Sequence, residues 1–138
     1  MEVFELEILA AEKALYHGEC ASVVIPTTQG QYGILAHHSN LIAGIIPGML
    51  RVKLPSGMEF IAAVSEGLLK VENNHVLVLV DTAERPEDID ENRAKREAEE
   101  AKEAILQKKS IQDYQIAQAR MARAINRLRV KKYFADHS

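Results

Sequence analysis

Arg120, Arg123 and Arg127 stand three and four residues apart, a spacing that puts three guanidiniums on one stripe of a helix. A guanidinium is planar, permanently charged and matched to two oxygens of a phosphate or carboxylate at once, so the stripe asks for a polyanion. Upstream, Ile89, Asp90, Arg93 and Ala94 mark the first turns of another helical segment, whose orphan amides and positive dipole end favour negative charge. The same arginines have a plainer use, an exposed basic face that pairs with Glu97, Glu99, Glu100 and Glu103. Residue patterns alone favour that use, because surface charge runs are usually solvated faces. Chemistry beyond binding has no support: no phosphate loop, no dinucleotide glycine fingerprint after a strand and no Ser-His-Asp set is recognisable. His37 and His38 are chain neighbours, which on extended backbone face opposite ways, and no Cys or acid lies at ligand spacing. They fit a turn or packing role better than a metal.

The elements that must position these side chains change character across the stretch from Glu84 to Ala94. No glycine follows Gly67 and no proline follows Pro86. Before the stretch, Phe4, Leu6 and Ile8 alternate with Glu5 and Glu7, the period-two signature of a half-buried strand. Short strands are expected at Ala14–His17, Ala21–Ile25, Met49–Leu54, Glu59–Val64, Gly67–Glu72 and His75–Asp81. Turn residues fall at Pro26–Gly33, Pro47-Gly48, Pro55-Ser56-Gly57 and Asn73-Asn74. Roughly eight to ten strands without helical periodicity between them imply an antiparallel β-sandwich or flattened barrel.

Beyond the stretch, Asp88 and Glu91 have capping-box spacing, and Ala94, Ala98, Ala101 and Ile105 recur at intervals of four, three and four. Ser110 and Asp113 repeat the cap, and Tyr114, Ala117, Met121, Ala124 and Leu128 form a second seam. The expected architecture is therefore α+β: a β-sandwich domain over residues 1–84 and a C-terminal αα-hairpin over 85–138. A seam of alanines buries far less than one of leucines, so the hairpin is marginally held, and a ligand acting on it would choose among its states.

Composition narrows the function classes. The chain has 138 residues, enough for one ordinary domain or two small ones, and its 5% aromatics with no Trp argue against a base-stacking platform. A single Cys excludes an internal disulfide and fits a reducing compartment. No signal peptide opens the sequence, and its longest weakly polar run, from Leu41 to Leu50, contains Gly44, Pro47 and Gly48 and is too short to span a bilayer. Charge is unevenly placed. Residues 1–83 carry four Lys/Arg against nine Asp/Glu, a net of -5; residues 84–113 carry seven against ten, a net of -3; residues 114–138 carry six against one, a net of +5. A basic end on an acidic chain needs an anionic partner. An acidic β-domain and the lack of a groove-reading motif point away from nucleic acid.

Several short stretches, taken in order, resemble the epsilon subunit of bacterial F-type ATP synthases. Gly33-Ile34-Leu35 with His38 and Leu41 resembles that family's Gly-Ile-Leu-Pro-Gly-His-x-Pro-Leu stretch, Pro47-Gly48 follows, and Gly67-Leu68-Leu69-Lys70-Val71 resembles its Gly-Gly-x-Leu-x-Val strand. Ile89, Asp90, Arg93 and Ala94 match its nucleotide-binding signature, with Glu84 upstream and Arg123 and Arg127 matching two arginines of its second helix. The resemblance implies ATP as a regulatory ligand, with magnesium left open. Glu84 and the backbone near Ile89 and Asp90 would lie at the base, and Arg93, Arg123 and Arg127 at the phosphates. It also implies a non-catalytic central-stalk subunit, peripheral on the cytoplasmic face of the cell membrane. The β-domain would bind the gamma subunit and the membrane rotor ring, and the hairpin would inhibit hydrolysis. In an extended state, Arg120, Arg123, Arg127, Arg129, Lys131 and Lys132 would meet the catalytic beta and alpha subunits. The alternative is a free-standing ATP sensor. Departures from the family pattern are Ala36, Asn40, the Ser65-Glu66 pair and Glu100, which stands where strong ATP binders carry a further arginine; Arg96, one turn earlier, partly offsets that lost charge.

Overall fold

The alternation at the start of the chain becomes strand β1 (Phe4–Ala10), with Phe4, Leu6 and Ile8 buried and Glu5 and Glu7 turned outward. The structure, a computed structural model, describes residues 2–107 and 110–137. It divides into two compact units, Met1–Arg85 and Pro86–Ser138.

The first unit continues through β2 (Ala14–Cys20), β3 (Ser22–Thr27), β4 (Gly30–Leu35), β5 (Leu41–Ile45), β6 (Gly48–Lys53), β7 (Glu59–Val64), β8 (Gly67–Glu72), β9 (His75–Val80) and the short β10 (Ala83–Glu84). Their order in the sheet is β10-β7-β6-β3-β5-β8-β9-β1-β2, with β4 also on β3, a nearly closed sandwich that curls around one apolar core. That core is aliphatic, drawn from alternate residues such as Val23 and Ile25, Leu50 and Val52, Leu69 and Val71, and Val76, Val78 and Val80. Pairing is antiparallel except between β1 and β9, which run parallel from Glu5↔His75 to Ala10↔Val80.

One turn differs from its expected extent. The expected turn from Pro26 to Gly33 shrinks to Thr28-Gln29, because β3 runs through Pro26 to Thr27 and β4 begins at Gly30. Pro26 is tolerated since its carbonyl, not the amide it lacks, makes the outward bond, accepting from the Ile46 amide at 3.1 Å. Thr27 closes the turn by donating its hydroxyl to the Gly30 carbonyl at 2.8 Å and accepting from the Gln29 amide at 3.2 Å. Asn73 and Asn74, by contrast, take the left-handed turn expected of them, at φ 50° and 64°. Asn74 also accepts the His37 amide at 2.7 Å and donates to the Val3 carbonyl at 3.0 Å, tying three chain segments together. His38 lies edge-on to Tyr32, a packing role, and no group of three metal-ligating side chains occurs among the described residues.

Cys20 is fully buried, its thiol directed at the carbonyls of Ser22 (3.1 Å) and Lys53 (3.4 Å), and burial pushes its pKa from 9.0 up to about 11. The folded state holds this proton more tightly than the unfolded chain does. The resulting stability is fully present below about pH 9 and is lost as pH rises through about 11. Denaturation of the wild type and of Cys20→Ala at pH 8 and pH 11 should therefore show the gap between them closing by roughly 2 kcal/mol.

The second unit opens with a tight 3-10 turn at Pro86–Asp88, followed by helices α1 (Glu91–Gln107) and α2 (Ile111–His137). α1 starts two residues later than the Asp88–Glu91 spacing suggests: Asp90 is the cap, accepting the Arg93 amide on Oδ1 at 3.0 Å. Ser110 caps α2 as expected, accepting the Asp113 amide at 3.0 Å. The helices pack antiparallel through small residues, with Ala94 and Ala101 buried on α1 and Ala117, Ala124 and Val130 on α2. Tyr114, expected in this seam, is 41% exposed, because close packing stops short of the connecting loop, where Leu106 and Ile111 are exposed as well. No helix among the described residues is long and apolar enough to cross a membrane.

Candidate functional site

The run Ile89-Asp90-x-x-Arg93-Ala94 is first of all a helix start. Asp90 is the N-cap, Arg93 is the third helical residue whose amide it binds, and Ile89 and Ala94 occupy the two positions of a hydrophobic staple, both nearly fully buried. The Ala94 amide closes the first helical turn on the Asp90 carbonyl at 3.0 Å. This places a carboxylate at the positive end of α1, so the dipole end expected to attract an external anion is already capped by Asp90.

Three of the four residues thus shape the backbone, which leaves the Arg93 side chain free to face outward. Its Nε donates to Glu97 Oε1 at 3.2 Å, one turn along the same helix. The other oxygen of that carboxylate, Oε2, accepts from Nη1 of Arg127 on α2, also at 3.2 Å. Glu97 therefore joins Arg93 and Arg127 across the hairpin through its two oxygens. The Arg127 and Glu97 side chains are only 21% and 29% exposed, against 71% for Arg93. The interhelical half of the bridge is consequently the less screened half.

Arg123 lies half-buried on α2, one turn before Arg127. Arg120 approaches Glu100 at 3.5 Å, so the acid found in place of the further arginine makes an interhelical ion pair. Lys131 donates to the carbonyl of Pro86 at 2.8 Å and so ties α2 to the turn that precedes α1. Arg129 and Lys132 are exposed. Glu84 belongs to the first unit, where it is half-buried on β10 opposite Ala63 of β7. Sequence reasoning missed the central place of Glu97, which it counted only among four acids able to pair with the basic face. Its position four residues after Arg93 was the available signal. The contact of Lys131 with Pro86 had no signal, since it depends on where the chain enters the hairpin.

What the arrangement can do is hold two or three anionic oxygens between facing helices. None of its groups is placed as a nucleophile beside a base. The ion pairs Arg127–Glu97 and Arg120–Glu100 also realise part of the plainer use of these arginines as interhelical partners.

Comparison with known proteins bears on the whole chain. Residues 3–86 match the family model described as the beta-sandwich domain of the ATP synthase Delta/Epsilon chain, and residues 87–132 match that of its long alpha-helix domain. The ATP synthase epsilon chain of Thioalkalivibrio sulfidiphilus is 41% identical over 136 residues, covering 98% of this chain and 96% of the relative. That of Neisseria meningitidis serogroup C is 34% identical over 138 residues, covering 99% of each. Among solved structures, a chain of the Euglena gracilis mitochondrial ATP synthase superposes with a TM-score of 0.78 at 20% identity over 98% of this chain and 82% of that one, a likeness of fold. With both domain models matched in order and full-length relatives above 30% identity, the chain belongs to the Delta/Epsilon chain family of ATP synthases.

Proposed function

We propose that this chain is a non-catalytic subunit of the central stalk of a rotary ATP synthase, peripheral to the membrane, whose helical hairpin responds to ATP. The β-domain joins the gamma subunit to the membrane rotor ring. The hairpin closes when ATP bridges its helices and extends along gamma when ATP is scarce. In the extended state Arg120, Arg123, Arg127, Arg129, Lys131 and Lys132 face acidic surfaces of the alpha and beta subunits and resist rotation in the hydrolysis direction. Nucleotide at 100 times its dissociation constant would bias the hairpin by about 2.7 kcal/mol if it binds the closed form alone.

The observation that carries the ATP reading is the bridge itself: an anionic group held between Arg93 and Arg127 on opposite helices. A polyphosphate has the oxygens and the charge to take the same place. Arg123 on α2 would extend the contact, and Ile89, Asp90 and Ala94 would set the helix start that aims Arg93. Glu84 belongs to the proposed nucleotide set through the family resemblance alone. Family membership supports the stalk assignment, and a free-standing sensor would differ by never copurifying with rotary subunits.

Calorimetric titration of the full chain with ATP, ADP and GTP tests the nucleotide assignment. Arg123→Ala and Arg127→Ala should each weaken ATP binding by about tenfold or more, the loss expected for one charge-assisted phosphate contact. Tight binding indifferent to both substitutions would sink the phosphate assignment. No binding at millimolar ATP would leave the arginines as helix-pairing residues, the reading that the Arg120–Glu100 pair favours.

A further inference from the structure

We infer that Glu97 is an internal occupant of the phosphate position, so that nucleotide binding to the hairpin is an exchange of one anion for another rather than the filling of an empty cationic site. This rests on the ATP reading above and adds how the site is controlled. Each oxygen of the Glu97 carboxylate meets a different guanidinium, Arg93 Nε and Arg127 Nη1, at 3.2 Å. Two oxygens of one phosphate group would meet the same pair of donors, because guanidinium recognises carboxylate and phosphate by the same forked geometry. The two anions compete for the same nitrogens.

Local helix energetics do not account for the arrangement. Within α1 the arginine precedes the glutamate, the less favourable order of an i, i+4 pair, and Arg93 is mostly exposed. The half of the bridge that crosses to α2 is the less exposed half, and it closes the hairpin without any ligand. The carboxylate thus acts twice: it holds α1 against α2 in the nucleotide-free state, and it must turn away before phosphates reach Arg93 and Arg127. An acid at this position lowers affinity for ATP and raises the concentration at which the hairpin responds. It does so independently of Glu100, which meets Arg120 instead.

The test is calorimetric titration of ATP and of inorganic tripolyphosphate into the full chain, its Glu97→Gln variant and its Glu100→Gln variant. Hydrogen exchange of the nucleotide-free proteins is followed alongside. Glu97→Gln should bind both ligands about fivefold tighter than wild type, the factor that corresponds to one partly screened ion pair. Its α1 amides should also exchange faster before ligand is added. Glu100→Gln removes the same charge one turn away and should change affinity by less than about twofold. Equal gains in both variants would overturn the exchange, showing net charge alone at work. Wild-type binding with no gain in Glu97→Gln would overturn it while leaving the nucleotide reading intact. Failure of all three proteins to bind would overturn both.

Discussion

Gly67→Ala should cost the β-domain about 4 kcal/mol or more, a large part of the stability of an ordinary domain and enough to move its denaturation midpoint far below that of the wild type. Gly67 opens β8, between Ile45 of β5 and Val80 of β9. A Cβ there would lie 2.0 Å from the carbonyl oxygen of Leu79, 2.7 Å from Val80 Cα and 2.8 Å from Val80 Cγ1. Two of these obstacles are backbone of a central strand, so no rotamer change relieves them. Relief requires β9 to move away from β8, and β9 also holds β1 through the parallel ladder. The bend just before Gly67 is fixed as well: the Thr82 amide donates to Ser65 Oγ at 2.7 Å, and the Asp81 amide donates to the Glu66 carbonyl at 3.2 Å. Gly33→Ala is the matched control, because a Cβ on Gly33 meets nothing within 4 Å and the change should stay within about 0.5 kcal/mol. Urea denaturation followed by circular dichroism separates the two. A cooperative transition for Gly67→Ala near the wild-type midpoint would mean that β8 and β9 can part without loss.

The pattern around Gly67 identified a strand from Gly67 to Glu72, whose bounds the structure reproduces, as it does those of Glu59–Val64. Alternating burial and flanking turn residues define such strands locally. The need for glycine was not legible, since it arises from the close approach of β9, a relation between segments. The parallel pairing of β1 with β9 escaped for the same reason: alternation shows which face of β1 is buried but not the direction of its neighbour.

The hairpin repeats this division. The arginine stripe, the alanine seam and the Ser110 cap follow from spacing within one helix and were legible. The start of α1 shifted because two acids competed for the cap. Asp88 is taken into the 3-10 turn that the Ile89 amide closes on the Pro86 carbonyl, which leaves Asp90 to meet the Arg93 amide. That Glu97 faces Arg127, and Glu100 faces Arg120, depends on the register between two helices, which no spacing within either of them states. The candidate site therefore appeared in sequence as its cations, while the anion now holding two of them became visible only in three dimensions.

Ala124→Asp should open the hairpin while leaving the β-domain folded. Ala124 has no exposed surface and sits in a seam whose other buried members are Ala94, Ala101, Ala117 and Val130. A carboxylate there has no room in a close-packed interface and would be buried unpaired, which costs about 3–5 kcal/mol. A seam built largely of alanine contributes little apolar area against that cost, and of the interhelical ion pairs the Arg120 pair lies toward solvent and the Arg127 pair is only partly buried, so that each adds about 1 kcal/mol. The core of the β-domain draws on residues from Phe4 to Ala83 alone, so its stability does not depend on this seam. Hydrogen exchange should show protection lost along α1 and α2 and kept in β1, β3 and β9. ATP binding should disappear with Arg93, Arg123 and Arg127 all still present, because guanidiniums on separated helices no longer converge. Arg127→Ala makes a different pattern, weakening nucleotide binding about tenfold and speeding α1 exchange as Glu97→Gln does, while the buried seam of α1 and α2 stays intact. If Ala124→Asp kept its ATP affinity, the arginines of a single helix would suffice for binding, and closure of the hairpin could not be what the nucleotide senses.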